Sequence, residues 1–262
     1  MKSFRVLNPN LREQAPNGLC ALAVMTKAPQ AGRVKTRLVP PLTPEEAAEL
    51  NKCFLRDTAV AISNACSHGS KPEVDASHSE AAKAACGIAV YTPVGAESAY
   101  TDILPEKFML LPQRGDKFGE RLYFAVEDLF SCGFDSVCLI DSDSPTVPAE
   151  NFAEAVELLS TSADRVVLGP SDDGGYYLIG VKNPHRRLFE QIDWSTERVL
   201  NQTIERATEI GLEVRLLPAG YDVDDAASLS RLCKELLAHK TPENVAPCTR
   251  EFVAKLTAKN EL

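Results

Sequence analysis

Short apolar runs alternate along the chain with longer segments in which apolar residues recur every three to four positions. Each short run is typical of a strand buried in a parallel sheet, and each longer segment has the spacing of a helix with one buried face. The predicted strands are residues 19–25, 87–92, 108–111, 135–140, 165–168, 176–180 and 213–217. This alternation predicts an α/β protein with a mostly parallel central sheet.

Capping residues mark the ends of several predicted helices. Thr43 as N-cap, Pro44 at the first helical position and Glu46 as the partner in a capping box predict where the first long helix begins. Ser195 is the expected N-cap of a later helix, and Gly211 stands where its C-cap would be. The other predicted helices are 118–129, 152–159, one that runs to Leu237, one around 251–256 and a short one near Ser77.

Length and composition favour a single domain. A chain of 262 residues, of which 44% are hydrophobic, can bury a large core. No internal repeat or low-complexity linker divides it. We therefore predict an N-terminal extension over 1–18, one domain over 19–238 and a C-terminal helical tail over 239–262.

Charge and cysteine content exclude several classes of function. A net charge of -9 argues against a general nucleic-acid binder, which needs a basic face. No apolar stretch is long enough to span a membrane, and the first residues lack the apolar core of a signal peptide. The eight cysteines are scattered without a Cys-x-x-Cys pair, which is typical of reduced thiols in a cytoplasmic protein.

Carboxylates follow two of the predicted strands. Asp141 and Asp143 come directly after the strand 135–140, and Asp222 and Asp224 follow the strand 213–217. Ligands of open α/β sheets bind at the carboxyl ends of strands, where carboxylates offer oxygen ligands to Mg²⁺ or Mn²⁺. Acids from separate loops could therefore share one metal. The alternative is that these acids only cap the helices that follow them.

A cationic loop follows the first predicted strand. No acid occurs between Glu13 and Glu45, although the chain as a whole is acidic. Backbone N–H groups of a glycine-containing loop, together with Lys and Arg side chains, can bind phosphates. The loop lacks the Walker pattern, so it is not a P-loop, and the alternative is a solvated basic loop. The candidate phosphate-binding residues are Lys27, Gly32, Arg33, Lys35 and Arg37.

A glycine pair opens the strand 176–180. Gly174 and Gly175 let the backbone approach a ligand closely, while Asp173 and Tyr176 could hydrogen-bond its hydroxyl groups. The alternative is that this segment is only a hairpin turn. The single tryptophan, Trp194, could form a wall of the ligand pocket or fill the core.

These segments together resemble one family. The motifs are Lys27-Ala-Pro-x-x-Gly32-x-Val-Lys35-Thr-Arg37-Leu, Asp143-Ser-Pro145, Gly169-Pro170 leading into Asp173-Gly-Gly-Tyr-x-Leu-Ile-Gly180, Trp194-Ser-Thr196 and Asp222-Val-Asp224. Residues 19–235 are similar to bacterial glycosyltransferase A-fold proteins of the nucleotide-diphospho-sugar transferase superfamily. Some of these are named arsenosugar-biosynthesis glycosyltransferases. More distant relatives include molybdenum-cofactor and 2-phospholactate guanylyltransferases.

The resemblance implies a three-layer αβα sandwich and a transferase that uses Mg²⁺ or Mn²⁺ and a nucleotide-activated donor. Relatives usually carry Gly where this chain has Asp141, so Asp143 is the better-supported metal ligand and the role of Asp141 stays open. Lys35, Asp143 and Asp173 are the expected catalytic residues, and Asp172 is a second candidate for the general base.

Three functions fit these residues. A nucleotide sugar could donate its sugar to a small-molecule acceptor, and this is the favoured hypothesis. A nucleoside triphosphate could instead react with a phosphorylated small molecule and release pyrophosphate, which the four cations of the loop would suit. The third possibility is a nucleotide-binding or metal-binding protein without catalytic activity.

Overall fold

The computed structural model describes residues 4–11, 14–16, 18–68 and 85–260, and within them eight strands form a single sheet. The strands are Arg5–Val6 (β1), Cys20–Lys27 (β2), Ala85–Thr92 (β3), Met109–Pro112 (β4), Ser136–Ile140 (β5), Arg165–Pro170 (β6), Tyr176–Val181 (β7) and Glu213–Leu216 (β8). Their order across the sheet is β1-β4-β3-β2-β5-β7-β6-β8.

All of these strands except β7 run in the same direction. β7 pairs antiparallel with both β5 and β6, because β6 and β7 are joined by a short turn and form a hairpin. The predicted mostly parallel sheet is therefore confirmed. Consequently the ends of β2, β5, β6 and β8 and the start of β7 all meet at one edge of the sheet.

Helices cover both faces of the sheet. Within the described residues the α-helices are Pro44–His68 (α1), Phe118–Ser131 (α2), Ala149–Ser160 (α3), Val199–Glu209 (α4), Ala226–Leu236 (α5) and Pro247–Asn260 (α6). Alternate residues of a strand point to opposite faces. Leu22 and Val24 of β2 pack under α1 and α3, whereas Ala21 and Ala23 pack under α2 and α4. The three-layer αβα sandwich implied by the resemblance is confirmed.

Segments close to both ends of the described chain pack onto this domain. The predicted N-terminal extension contributes β1, which pairs with β4, and its Leu7 is buried. The predicted C-terminal tail forms α6, whose Val253 and Leu256 share a core cluster with Leu50 and Phe54 of α1. No helix among the described residues has the length and apolar character needed to cross a lipid bilayer.

The capping predictions had mixed outcomes. The box at the start of α1 is confirmed, because the Glu46 backbone N–H donates to the Thr43 hydroxyl and the Thr43 N–H donates to the Glu46 carboxylate. The prediction that Ser195 caps α4 is wrong. Ser195 lies at φ +65°, and α4 begins four residues later because the Thr196 hydroxyl organises a turn ahead of it. The short helix predicted near Ser77 lies outside the described residues.

The Tyr177 hydroxyl ties β7, α3 and the loop after β8 together, which yields a stability prediction. It accepts a hydrogen bond from the Asn151 amide at 2.9 Å and donates one to the Pro218 carbonyl at 2.9 Å. Tyr177→Phe leaves both partners unpaired in the core, so we expect the free energy of unfolding to fall by about 1–3 kcal/mol in urea titrations. Tyr123→Phe is the control, because that hydroxyl bonds only the partly exposed Glu127. Equal losses in the two variants would contradict this account.

Candidate functional site

Four segments meet at the edge where β2, β5, β6 and β8 end. They are the loop after β2, the segment after β5, the turn between β6 and β7 and the acidic segment after β8. Each carries residues that the sequence marked as functional. The Val223 N–H donates to the Asp143 carbonyl at 3.0 Å and joins two of these segments directly.

Lys35 lies at the centre of this edge. Its side chain is only 4% exposed, and its ammonium lies 2.8 Å from a carboxylate oxygen of Asp143 and 2.8 Å from one of Asp224. It also donates to the Val223 carbonyl at 2.8 Å, and it lies 5.4 Å from the centre of the Phe54 ring. Burial alone would lower the pKa of Lys35, but the two carboxylates outweigh burial and raise its pKa above the usual value.

The backbone of the loop after β2 turns sharply to bring Lys35 inward. Gly32 has φ +71°, and Lys35 itself has φ +47°, a left-handed conformation that a residue other than glycine rarely adopts. A short 3-10 turn, Thr36–Leu38, follows and buries Leu38 in the core. This conformation separates the four cations: Lys35 is buried, while Lys27, Arg33 and Arg37 remain exposed.

These cations line one polar cavity of about 270 Å³. Four of the five predicted phosphate-binding residues line it, and exposed Gly32 does not. Asn51 of α1 also lines the cavity, and its buried Oδ1 atom has no hydrogen-bond partner. Nothing in the sequence distinguished Asn51 as a site residue, because a lone polar residue in an amphipathic helix usually lies on the protein surface. The cavity lining is Lys27, Arg33, Val34, Lys35, Thr36, Arg37, Asn51, Ser142, Asp143 and Asp224.

A second, apolar cavity of about 190 Å³ adjoins the first. Gly175, Tyr176 and Trp194, which were predicted to bind substrate, line it. The Tyr176 hydroxyl is buried, and its contact with a ligand hydroxyl stays a prediction. The wall also includes Phe118, whose ring meets that of Trp194 edge to face at 5.2 Å.

Most of the apolar wall was missed from the sequence. Met25, Leu122 and Leu139 have the spacing of core residues, and nothing in a single sequence distinguishes a core position from a cavity wall. Phe118, the first residue of the predicted helix 118–129, is 49% exposed.

Asp141 separates the two cavities. It lines the apolar cavity, whereas Ser142 and Asp143 line the cationic one. Its carboxylate accepts hydrogen bonds from the backbone N–H groups of Asp143 and Ser144 and from the Ser144 hydroxyl. Burial and the nearby charge of Asp143 raise the pKa of Asp141 to about 8.

The remaining predicted acids occupy different environments. Asp222 accepts a hydrogen bond from the Ser171 hydroxyl, and burial together with Asp173 and Asp224 raises its pKa to about 6. Asp173 is exposed and accepts from the Gly175 N–H at 2.8 Å. Asp172 pairs instead with Arg231 at 2.7 Å.

Two neighbouring residues have structural roles. Asp225, which follows the predicted ligands Asp222 and Asp224, caps α5, because it accepts from the Ser228 N–H at 2.8 Å. Gly174 does not line either cavity. It has φ +86°, and a Cβ there would lie 2.2 Å from the Glu197 carbonyl, so glycine is required by the turn itself.

The four predicted metal ligands do not converge as one set. Asp143 and Asp224 meet at the Lys35 ammonium, and no group of three or more His, Cys, Asp or Glu side chains suited to a metal ion occurs among the described residues. A metal site formed by Asp143, Asp222, Asp224 and Asp141 therefore stays a prediction.

Comparison with known proteins adds to this geometry. Residues 77–196 match the model of a family described as "Uncharacterized protein conserved in bacteria (DUF2064)". No protein in a search of curated proteins matches the chain. A crystal structure from Desulfovibrio desulfuricans, provisionally assigned as a nucleotide-diphospho-sugar transferase, is 26% identical with a TM-score of 0.76. The match covers 93% of this chain and 96% of that one.

Two further solved structures are more distant. Glucosyl-3-phosphoglycerate synthase from Mycobacterium tuberculosis, in complex with Mn²⁺, UDP and glucosyl-3-phosphoglycerate, is 12% identical, with a TM-score of 0.44 and coverage of 93% and 80%. A 4-diphosphocytidyl-2C-methyl-D-erythritol synthase from Anaerococcus prevotii is 12% identical, with a TM-score of 0.48 and coverage of 82% and 97%.

The Desulfovibrio structure is similar over nearly the whole length of both chains. It confirms the resemblance inferred from the sequence motifs: this chain has the α/β fold of the nucleotide-diphospho-sugar transferases.

Proposed function

We propose that this protein is a divalent-metal-dependent transferase that moves a sugar from a nucleotide sugar to a small-molecule acceptor. One observation carries the proposal: a cavity walled by cations and a cavity walled by aromatic and aliphatic side chains adjoin at residues 141–143. A nucleotide sugar has the same two parts, because its diphosphate is anionic and its sugar ring has an apolar face. The provisional assignment of the similar Desulfovibrio protein supports this choice of donor.

The cationic cavity offers contacts for the donor phosphates. Lys27, Arg33 and Arg37 are exposed, and charge-assisted hydrogen bonds from such side chains to phosphate oxygens are strong. Asn51 leaves a buried amide oxygen without a partner in the same wall, and a bound water or ligand group would satisfy it. The polar groups needed to hold a diphosphate are therefore present in one place.

The carboxylates of Asp143 and Asp224 suit a divalent metal that the substrate phosphates would also bind. Asp143 and Asp224 already direct one oxygen each at a single positive charge, the Lys35 ammonium. Mg²⁺ is usually held by one or two carboxylates together with substrate phosphates, so a full set of protein ligands is not required. When bound, the metal would act as a Lewis acid that offsets negative charge on the leaving phosphate.

The chain's own residues would orient the reactants. Lys35 remains protonated because its pKa is raised, and it holds Asp143 and Asp224 in fixed positions. Of the two acids considered as general base, Asp172 is engaged by Arg231, whereas Asp173 is exposed beside the turn that leads into the apolar cavity. Asp173 is therefore the better candidate to take a proton from the acceptor hydroxyl.

Nucleotidyl transfer is the second candidate. One observation favours it: all four cations of the loop after β2 line the same cavity, and a triphosphate brings more negative charge than a diphosphate. In that reaction an acceptor phosphate attacks the α-phosphorus and pyrophosphate leaves.

Melting-temperature measurements with Mn²⁺ and a panel of nucleotide sugars and nucleoside triphosphates test the donor class. We expect a nucleotide sugar near 100 times its Kd to raise the melting temperature by roughly 5 °C, because it binds only the folded state. Stabilisation by a triphosphate alone would favour nucleotidyl transfer. The absence of any Mn²⁺-dependent shift would contradict both proposals.

Asp143→Asn tests the metal-binding role. We expect the Mn²⁺-dependent part of nucleotide-sugar affinity to fall by at least about tenfold in calorimetric titrations, because a charged ligand becomes a neutral amide. Lys35 keeps Asp224 as a partner, so the variant should fold, which circular dichroism checks. Asp172→Asn is the matched control, since that exposed acid pairs with Arg231 and should leave affinity unchanged. A loss of folding, or wild-type affinity in Asp143→Asn, would overturn the assignment.

Phe118→Ala tests the apolar cavity. The side chain is 49% exposed, so its truncation should change stability little, but it removes one aromatic wall. We expect affinity for the nucleotide sugar or the acceptor to fall by about tenfold, as for the loss of one aromatic contact, while nucleoside diphosphate binding stays constant. Leu216→Ala is the control, because Leu216 is similarly exposed on β8 at 54% and lines neither cavity. Equal effects of both variants on sugar binding would refute this role.

A further inference from the structure

Two cysteine side chains join helices α1 and α6 away from both cavities. Cys53 lies on α1 and is 9% exposed, and Cys248 lies in the first turn of α6 and is partly exposed. Cys53, Arg56 and Asp57 lie on the same face of α1, and Arg56 and Asp57 both bond Cys248, so Cys53 faces Cys248 where the two helices meet. Each thiol also shifts the pKa of the other.

The surroundings of Cys248 favour its thiolate. The Arg56 guanidinium donates to the Cys248 sulfur at 3.3 Å. The neighbouring Cys53 thiol and this guanidinium lower the pKa of Cys248 although burial opposes the shift. Cys248 also lies at the N-terminal end of α6, where the helix dipole stabilises negative charge.

Acidic charge near Cys248 is largely engaged. The Asp57 carboxylate raises the pKa of Cys248, but it accepts hydrogen bonds from the backbone N–H groups of Cys248 and Thr249 at 3.0 and 2.8 Å. Asp57 thus caps α6 and fixes the position of Cys248 beside Arg56.

A second cysteine pair in the same chain provides a contrast. Cys20 and Cys138 are also neighbours, on the paired strands β2 and β5, but they are 2% and 0% exposed in the core of the sheet. The neighbouring Cys20 thiol and burial raise the pKa of Cys138 well above its usual value. The two cysteines are therefore neighbours in both pairs. Of the two pairs, only Cys53 and Cys248 also have a neighbouring cation, a helix N-terminus and access to solvent.

We propose that Cys248 and Cys53 form a peroxide-reactive thiol pair. The Cys248 thiolate attacks one oxygen of hydrogen peroxide, the O–O bond breaks, and hydroxide leaves as Cys248 becomes a sulfenic acid. The Cys53 thiol then attacks the sulfenic sulfur, and its proton and the sulfenic hydroxyl leave as water. Both thiols are oxidised to one disulfide, and one peroxide molecule is reduced.

The disulfide would tie α6 to a helix that also carries part of the candidate active site. Asn51 of the same helix lines the cationic cavity, and the Phe54 ring contacts the Lys35 ammonium. Cys53 stands between these two residues in the sequence and would become covalently attached to α6. The proposal does not depend on which donor the protein uses.

The reduced 262-residue protein is treated with hydrogen peroxide, remaining thiols are blocked, and unreduced peptides are analysed by mass spectrometry. We expect one early disulfide between Cys53 and Cys248 that dithiothreitol removes, while Cys20 and Cys138 remain thiols. The oxidised protein should melt at a higher temperature than the reduced protein, because the cross-link restricts the unfolded chain.

Two further measurements separate a reactive pair from cysteines that merely pack together. At pH 7, iodoacetamide should alkylate Cys248 at least about tenfold faster than Cys233, whose pKa is raised by burial. In Cys53→Ser the sulfenic acid on Cys248 should persist and be trapped by dimedone, whereas Cys233→Ser should behave like the unchanged protein. The proposal is overturned if Cys248 is no more reactive than Cys233, or if another pair or an intermolecular disulfide forms first.

Discussion

The buried ammonium of Lys35 is the interaction on which the candidate active site depends. A charge with 4% exposure is costly to bury, and three oxygen atoms at 2.8 Å offset that cost. Those oxygens come from Asp143 after β5 and from Val223 and Asp224 after β8, while Lys35 comes from the loop after β2. One cation therefore fixes three segments that are distant in sequence. The arrangement requires strands that run in the same direction, because only such strands end at the same edge of the sheet.

The sequence allowed the architecture to be predicted, because periodicity is a local property. The strand that ends at Asp141 and the capping box of Thr43 and Glu46 were both correct within a few residues. Ser195 was wrong for a local reason as well: the Thr196 hydroxyl competes for the same turn and delays α4. Strand order follows from tertiary packing and had no local signal, although the hairpin turn considered for residues 173–175 did indicate that β7 runs antiparallel to β6.

The sequence indicated which residues could form the candidate site better than it indicated how they are arranged. The charged loop indicated a phosphate site, but nothing in the sequence showed that Lys35 would be buried while Lys27 stays exposed. That difference accompanies a left-handed backbone at Lys35 and its ion pairs with carboxylates from two other segments. Asn51 and Phe118 were missed because their residue types occur equally often in scaffold helices. Cavity walls are shared between elements, so they emerge only once the helices are packed.

Charge at the site bears on why the proposed transferase would need a metal. Lys35 is already paired with Asp143 and Asp224. The cluster of one ammonium and two carboxylates therefore carries a net negative charge and repels a diphosphate. The exposed cations attract the phosphates, but exposed charges are screened by solvent and salt. A divalent ion between the carboxylates and the phosphates would convert that repulsion into attraction on both sides. The same acids that hold Lys35 in place would thus make donor binding depend on metal in the proposed transferase, which is the physical link between the buried lysine and the proposed chemistry.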